Sequence, residues 1–263
     1  MKPADASDTA QSVPINDVSE ESLSTPQLID LALQRGEITK DERLLLLTYA
    51  IYRPALLPEK YQSNVGWYGT QYVRELQQSR PLLVPQQSPA AAEVIAILTG
   101  SVSTYCDSED GPNTTDSTYF RISYGTISGG LTINDYKASL DTTYQIEVTN
   151  YGWAAPPYAA ANTFNKYPVQ VANLGSGLYG YVTTGGGNYT EFIGDNPNTP
   201  ETETDSIASC MVLNNDFSQF PEGAQGALDS TTSHEYVHAI QNGYGDPSPR
   251  EDSMWYESVA AYM

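Results

Sequence analysis

Both histidines of this 263-residue chain fall in one five-residue word, His234-Glu-Tyr-Val-His238. No other feature constrains the fold as tightly. Residues four apart share a face of an α-helix, so a helix turns both imidazoles the same way, where they can grip one metal ion. Glu235 lies one position along, close enough to contact water beside that ion without being a ligand itself. The surroundings permit the helix: no proline occurs from Gly226 to Gln241, and Gly243 can cap its end. Two histidines placed at random would stand four apart with Glu second in on the order of one chain in a few thousand. The sequence therefore predicts a helix from about Ala224, with His234 and His238 as metal ligands and Glu235 beside a water on that metal.

Two imidazoles leave zinc under-coordinated, because catalytic sites usually carry three protein ligands and a water. Glu251, Asp252 and Glu257 lie downstream. Glu257 sits in Met254-Trp-Tyr-Glu257-Ser-Val-Ala-Ala-Tyr-Met263, which reads as the start of an apolar helix. A carboxylate among residues of buried type needs a partner, and a metal would supply it. Eighteen residues lie between His238 and Glu257, enough for a turn and an antiparallel return.

Composition narrows the function classes. Twelve Lys and Arg against 32 Asp and Glu give a net charge of −20, which repels phosphate backbones, and no basic cluster interrupts it. Nucleic-acid binding is excluded on that ground. No apolar run is long enough to span a bilayer, so no membrane segment is expected. Residues 1–100 carry 8 basic and 12 acidic side chains, and residues 101–263 carry 4 and 20, so the acidity belongs to the second part. Tyr outnumbers Phe by 20 to 5, which suits a hydrated exterior and an extracellular protein. Cys106 and Cys210 make one disulfide in an oxidising compartment or two thiols elsewhere. The start, Met1-Lys-Pro-Ala-Asp, lacks the apolar core of a signal peptide.

The chain divides into a polar lead (1–24), a helical region (25–100), a linker (101–117) and a mixed segment (118–263), an α+β organisation. Thr25-Pro26 reads as a cap and first turn, and Thr39-Lys-Asp-Glu42 as a capping box opening a helix to about Tyr52. A third helix is expected over 70–78. The helical region reads as a propeptide or accessory domain, or else as a helical subdomain of one fold. Thr118–Tyr124, Tyr167–Val171, Leu178–Val182, Tyr189–Ile193 and Ala208–Leu213 read as strands, and Ile133–Tyr151 as a helix stopped by Gly152. Gly185-Gly-Gly187 matches no phosphate-binding frame. The acidic loop from Asp195 to Asp205 offers oxygen ligands for Ca2+.

His-Glu-Tyr-Val-His followed by Trp255-Tyr-Glu257-Ser-Val-Ala-Ala261 resembles the gluzincin zinc metallopeptidases, the thermolysin-like clan with the pattern HExxH…E. The resemblance is firm over 208–263 and extends loosely to 118–263, where Tyr119-Phe-Arg-Ile-Ser-Tyr124 and Tyr151-Gly-Trp153 look like the opening of secreted bacterial members. It implies a zincin-like mixed sheet packed on an active-site helix, with Zn2+ held by His234, His238 and Glu257 and with Glu235 as general base. It also implies an edge strand, by position Met211–Asp216, whose main chain at Leu213, Asn214 and Asn215 pairs with a peptide or protein substrate. The family's aspartate four residues beyond its glutamate ligand is Ala261 here, so orienting an imidazole falls to another group. Tyr236 and Tyr256 are candidate donors to the tetrahedral intermediate. The chain ends at Met263, within two turns of Glu257, so the C-terminal helical subdomain of the family is expected to be missing or truncated. Two other function classes remain beside the secreted peptidase: a catalytically degenerate homologue, and an extracellular binding module that uses the acidic surface.

Overall fold

Four helices open the chain. α1 (Thr25–Gln34) is capped by Ser24, one residue earlier than expected. Ser24 N–H donates to Gln27 Oε1 at 2.8 Å, and Pro26 sits in the first turn. α2 (Lys40–Tyr52) begins with the expected capping box: Thr39 N–H donates to Glu42 Oε2 at 2.7 Å and Glu42 N–H to Thr39 Oγ1 at 3.2 Å. α3 (Thr70–Ser79) follows. α4 (Pro89–Ser101) had no counterpart in the sequence reading, because Ala90 to Leu98 is apolar on every side except Glu93 and shows little periodicity. Arg43 ties the first three helices together, with Nε 2.5 Å from Asp30 Oδ1 and Nη1 2.5 Å from Glu75 Oε1.

This computed structural model describes residues 19–101, 111–184 and 190–245. Cys106, Gly185–Gly187, and the stretch with Glu251, Asp252, Tyr256, Glu257 and Ala261 lie outside them. Cys210 is disulfide-bonded.

The second half is a mixed sheet with helices. β1 (Asn113–Asp116), β2 (Phe120–Tyr124), β3 (Tyr167–Ala172), β7 (Cys210–Asn214) and β4 (Gly180–Thr183) lie side by side in that order. The three inner strands are parallel, while β1 and β4 run antiparallel to their neighbours. β5 (Phe192–Gly194) and β6 (Ser206–Ile207) form a separate pair. α5 (Ile133–Tyr144) crosses between β2 and β3 and continues as a π-turn over Gln145–Asn150, before Gly152 at φ +78° ends it. α6 (Ala224–Gly243) follows β7.

Two expectations are corrected. β1 occupies part of the supposed linker, because Asn113–Asp116 pairs with Arg121–Tyr124. Met211–Asn214 is not an edge. It is an interior strand bonded to β3 on one side and β4 on the other, so its main chain is already committed.

Period-two alternation along β7 feeds two cores. Cys210 and Val212 face a cluster with Leu47, Ile51, Val73, Leu76 and Leu98 of the N-terminal helices. Met211 and Leu213 face a second cluster with Phe120, Leu140, Leu228 and Ile240, under α5 and α6. The helical region is thus one layer of a three-layer packing, and it shares a core with the sheet. No helix among the described residues is long and apolar enough to cross a membrane.

Leu47 is fully buried, so Leu47→Ala should cost about 2–5 kcal/mol. Because the core is shared, far-ultraviolet ellipticity and tryptophan fluorescence should report one denaturant transition, shifted together by the substitution. Two separate transitions would mark the helices as an independent unit.

Candidate metal centre

α6 is flanked by Gly223, whose φ of +76° turns the chain into the helix, and by Tyr244 at its C-terminal end. Its residues from Thr231 to Ile240 are buried except Ser233, an unusually polar set for such a position. Hydrogen bonds compensate: Thr231 Oγ1 donates to Ala227 O at 2.7 Å, and Thr232 meets Ser139 Oγ at 2.7 Å on α5.

The helix brings His234 and His238 together as the spacing required. Their Nε2 atoms stand 3.1 Å apart with the rings edge to face at 87°. That separation lies within N–H···N hydrogen-bond range. It is also close to the roughly 3.3–3.4 Å that two nitrogens bound to one tetrahedral zinc would show. Gln241 Oε1 lies 2.9 Å from His238 Nδ1. An amide oxygen only accepts, so His238 carries its proton on Nδ1 and presents a lone pair at Nε2, the form a metal needs. The donor set therefore fits a borderline-soft divalent cation.

Glu235, the residue after His234, is fully buried, and its Oε2 accepts from Thr70 Oγ1 at 2.5 Å. Thr70 Oγ1 in turn accepts from Val182 N–H at 2.8 Å. Tyr68 lies flat on the His234 ring, with centroids 3.8 Å apart and planes 16° from parallel. Thr70 opens α3 and Tyr68 precedes it, so the helical layer reaches the motif directly. A groove of about 620 Å³ between α5 and α6 runs up to His234, lined by Ser139, Thr142, Ser230, Ser233 and Tyr68 among others.

Glu147 comes close behind. The π-turn carries it into the interior, where Oε1 accepts from Ser233 Oγ at 2.8 Å, next to His234 in sequence. Oε2 has no hydrogen-bond partner among the described residues. Burial pushes its carboxyl up to about 8, and the Ser233 hydrogen bond opposes this only partly.

Among the other residues singled out from sequence, the structure does not support Leu213, Asn214 and Asn215 as a peptide-pairing edge. Leu213 is buried, Asn214 N–H donates to Tyr179 O at 3.0 Å, and Asn215 N–H donates to Ala172 O at 2.9 Å. Asn214 O is taken by Tyr136 Oη and its amide by Leu178 O. Tyr236 points away from the motif into the core, edge-on to Phe120 and Tyr167, and burial raises its hydroxyl well above the usual range. In the acidic loop, Glu203 accepts from Asn196 N–H and Thr199 Oγ1, and Asp195 accepts from Glu203 N–H. Among the described residues no group of three or more His, Cys, Asp or Glu side chains is placed to hold a metal.

Gln241 was missed, although an amide three residues beyond the second histidine on the same helix is a signal the sequence carries. Tyr68, Thr70 and Glu147 carried no local signal. No family model matches the chain, and searches of the curated proteins and of the solved structures return no match.

Glu147 gives a pH-dependent test. Its folded pKa lies above the ordinary carboxyl value of 4.5. Its contribution to stability is therefore complete below pH 4.5 and is lost as pH rises through about 8, a loss on the order of 5 kcal/mol. Urea unfolding at pH 5, 7 and 9 should show a smaller decline for Glu147→Gln than for the wild type. Parallel declines would place the carboxyl in a polar setting.

Proposed function

We propose that the chain is a zinc-dependent metallopeptidase of gluzincin, zincin-like type acting outside the cell. The observation that carries this reading is the 3.1 Å convergence of the His234 and His238 Nε2 atoms, with Glu235 held by Thr70 on the same helix. His234 and His238 are the ligands α6 supplies, and Glu257 is the third that the sequence pattern assigns. A bound zinc supplies Lewis acidity, which polarises a scissile carbonyl and acidifies water. Glu235 takes the proton of the attacking water and returns it to the leaving amine. Thr70 keeps one oxygen of that carboxylate fixed, so the other is the one that moves the proton. Gln241 holds His238 in the metal-binding tautomer. The groove between α5 and α6 is the concave approach that meets His234, and Ser230, Ser233 and Thr142 give it a polar lining suited to a peptide main chain.

A second reading is favoured by the complete burial of Glu235 and His238: a metal-holding module that no longer cuts peptides. One experiment separates the two. The peptidase reading expects one zinc per chain, lost in His234→Ala and His238→Ala. It also expects casein cleavage, reduced at least 100-fold in Glu235→Gln with zinc retained. Zinc in both proteins without cleavage in either would leave only the module, and a chain that takes no zinc would sink both readings.

A further inference from the structure

We infer that the N-terminal helical layer is a permanent part of the metal centre, with Tyr68 and Thr70 as positioning residues for His234 and Glu235. The inference rests on the zinc-site reading and goes beyond it, because it assigns the orientation of the motif to residues some 165 positions upstream.

The contact is built, not incidental. Residues 66–70 lie as a short parallel strap along residues 177–180, the run that leads into β4. Trp67 N–H donates to Gly177 O at 2.8 Å, Tyr179 N–H to Trp67 O at 3.0 Å, and Gly69 N–H to Gly180 O at 2.9 Å. That register turns Trp67 into the core of the helical layer and Tyr68 to the opposite face, toward α6. The strap can lie this close only because Gly66 has no side chain; a Cβ there would come within 2.4 Å of the Tyr179 ring.

Tyr68 then completes a column of flat rings. Phe220 and Tyr179 stack at 3.8 Å, Tyr179 and Tyr68 at 4.9 Å, and Tyr68 and His234 at 3.8 Å, all within about 21° of parallel. Tyr179 Oη is itself anchored on Glu222 at 3.1 Å. The His234 imidazole is the last ring of the column, so its plane is set by three rings from three different segments. Thr70 acts in the same way on Glu235. The Val182 N–H occupies a lone pair of the Thr70 hydroxyl, which leaves its proton for the carboxylate. Among the described residues, Tyr68 thus orients His234, Thr70 orients Glu235 and Gln241 orients His238.

The test uses the full chain and reads zinc affinity by competition with a chromophoric chelator, with folding checked by circular dichroism. Tyr68→Phe keeps the flat ring and should bind zinc within about threefold of wild type. Tyr68→Leu keeps apolar bulk without the ring and should bind 10–100-fold more weakly, as expected for lost support of a ligand. Wild-type affinity in a folded Tyr68→Leu overturns the role of Tyr68, and so does equal weakening in Tyr68→Phe. Thr70→Val should leave zinc affinity unchanged and lower kcat with KM little altered, and Thr70→Ser should restore kcat. A rise in kcat for Thr70→Val would make the strap a brake and overturn the positioning role. If the wild type binds no zinc through His234, the zinc-site reading and this inference fall together. If it binds zinc but the Tyr68 and Thr70 variants behave as wild type, only the inference falls.

Discussion

A single buried hydrogen-bond chain, from Val182 N–H through the Thr70 hydroxyl to the Glu235 carboxylate, crosses all three layers of the molecule. Val182 belongs to the sheet, Thr70 to the helical layer and Glu235 to the helix on the far face. All three residues are almost fully buried. In that environment an unpaired carboxylate or hydroxyl costs several times what a satisfied one contributes, so the layers must keep their relative position to keep the chain intact. The motif and the architecture are therefore coupled. A slip of the strap by one residue would exchange Tyr68 with a neighbour that points to the other face, and would separate Thr70 from Glu235.

The polar load around α6 has the same character. His234, Glu235, His238, Thr231 and Thr232 are buried on one helix, and Glu147 is buried beside Ser233 with its carboxyl pushed up to about 8. Apolar residues at these positions would stabilise the fold more simply. Local disagreement with core-packing rules concentrates where a chain has chemistry to perform. The rest of the second core, from Phe120 through Tyr236 to Ile240, is conventional aromatic and aliphatic packing. The buried histidines and carboxylates of this half lie on the face that meets the strap and α5.

Much of the architecture was readable residue by residue. Thr39 and Glu42 cap α2 because both halves of a capping box lie within one turn. Alternation placed Phe120 and Ile122 in the core as expected, but Ser123 is buried as well and Tyr124 only half-buried. α4 escaped notice because an all-apolar stretch has no face to reveal. β1 escaped because Asn113-Thr-Thr-Asp116 has no apolar alternation and is a strand only by pairing with β2. The edge assignment to Met211–Asp216 failed for a related reason. A strand just before a helix has no local mark that says whether another strand lies beyond it, and here β4 folds back antiparallel to cover it.

The sequence alone determined that His234 and His238 share a helix face with Glu235 beside them, because the four-residue repeat is a property of the helix and needs nothing from the rest of the chain. Gln241, three residues beyond His238, needs only that same helix to reach it, although nothing in the sequence reading singled it out. Only the tertiary structure decided what holds the other two members of the motif. Tyr68, Thr70 and Glu147 reach His234, Glu235 and Ser233 because a strap, a sheet edge and a π-turn are packed into one interior. Contacts of that kind depend on how separate elements share a core, which no local pattern records.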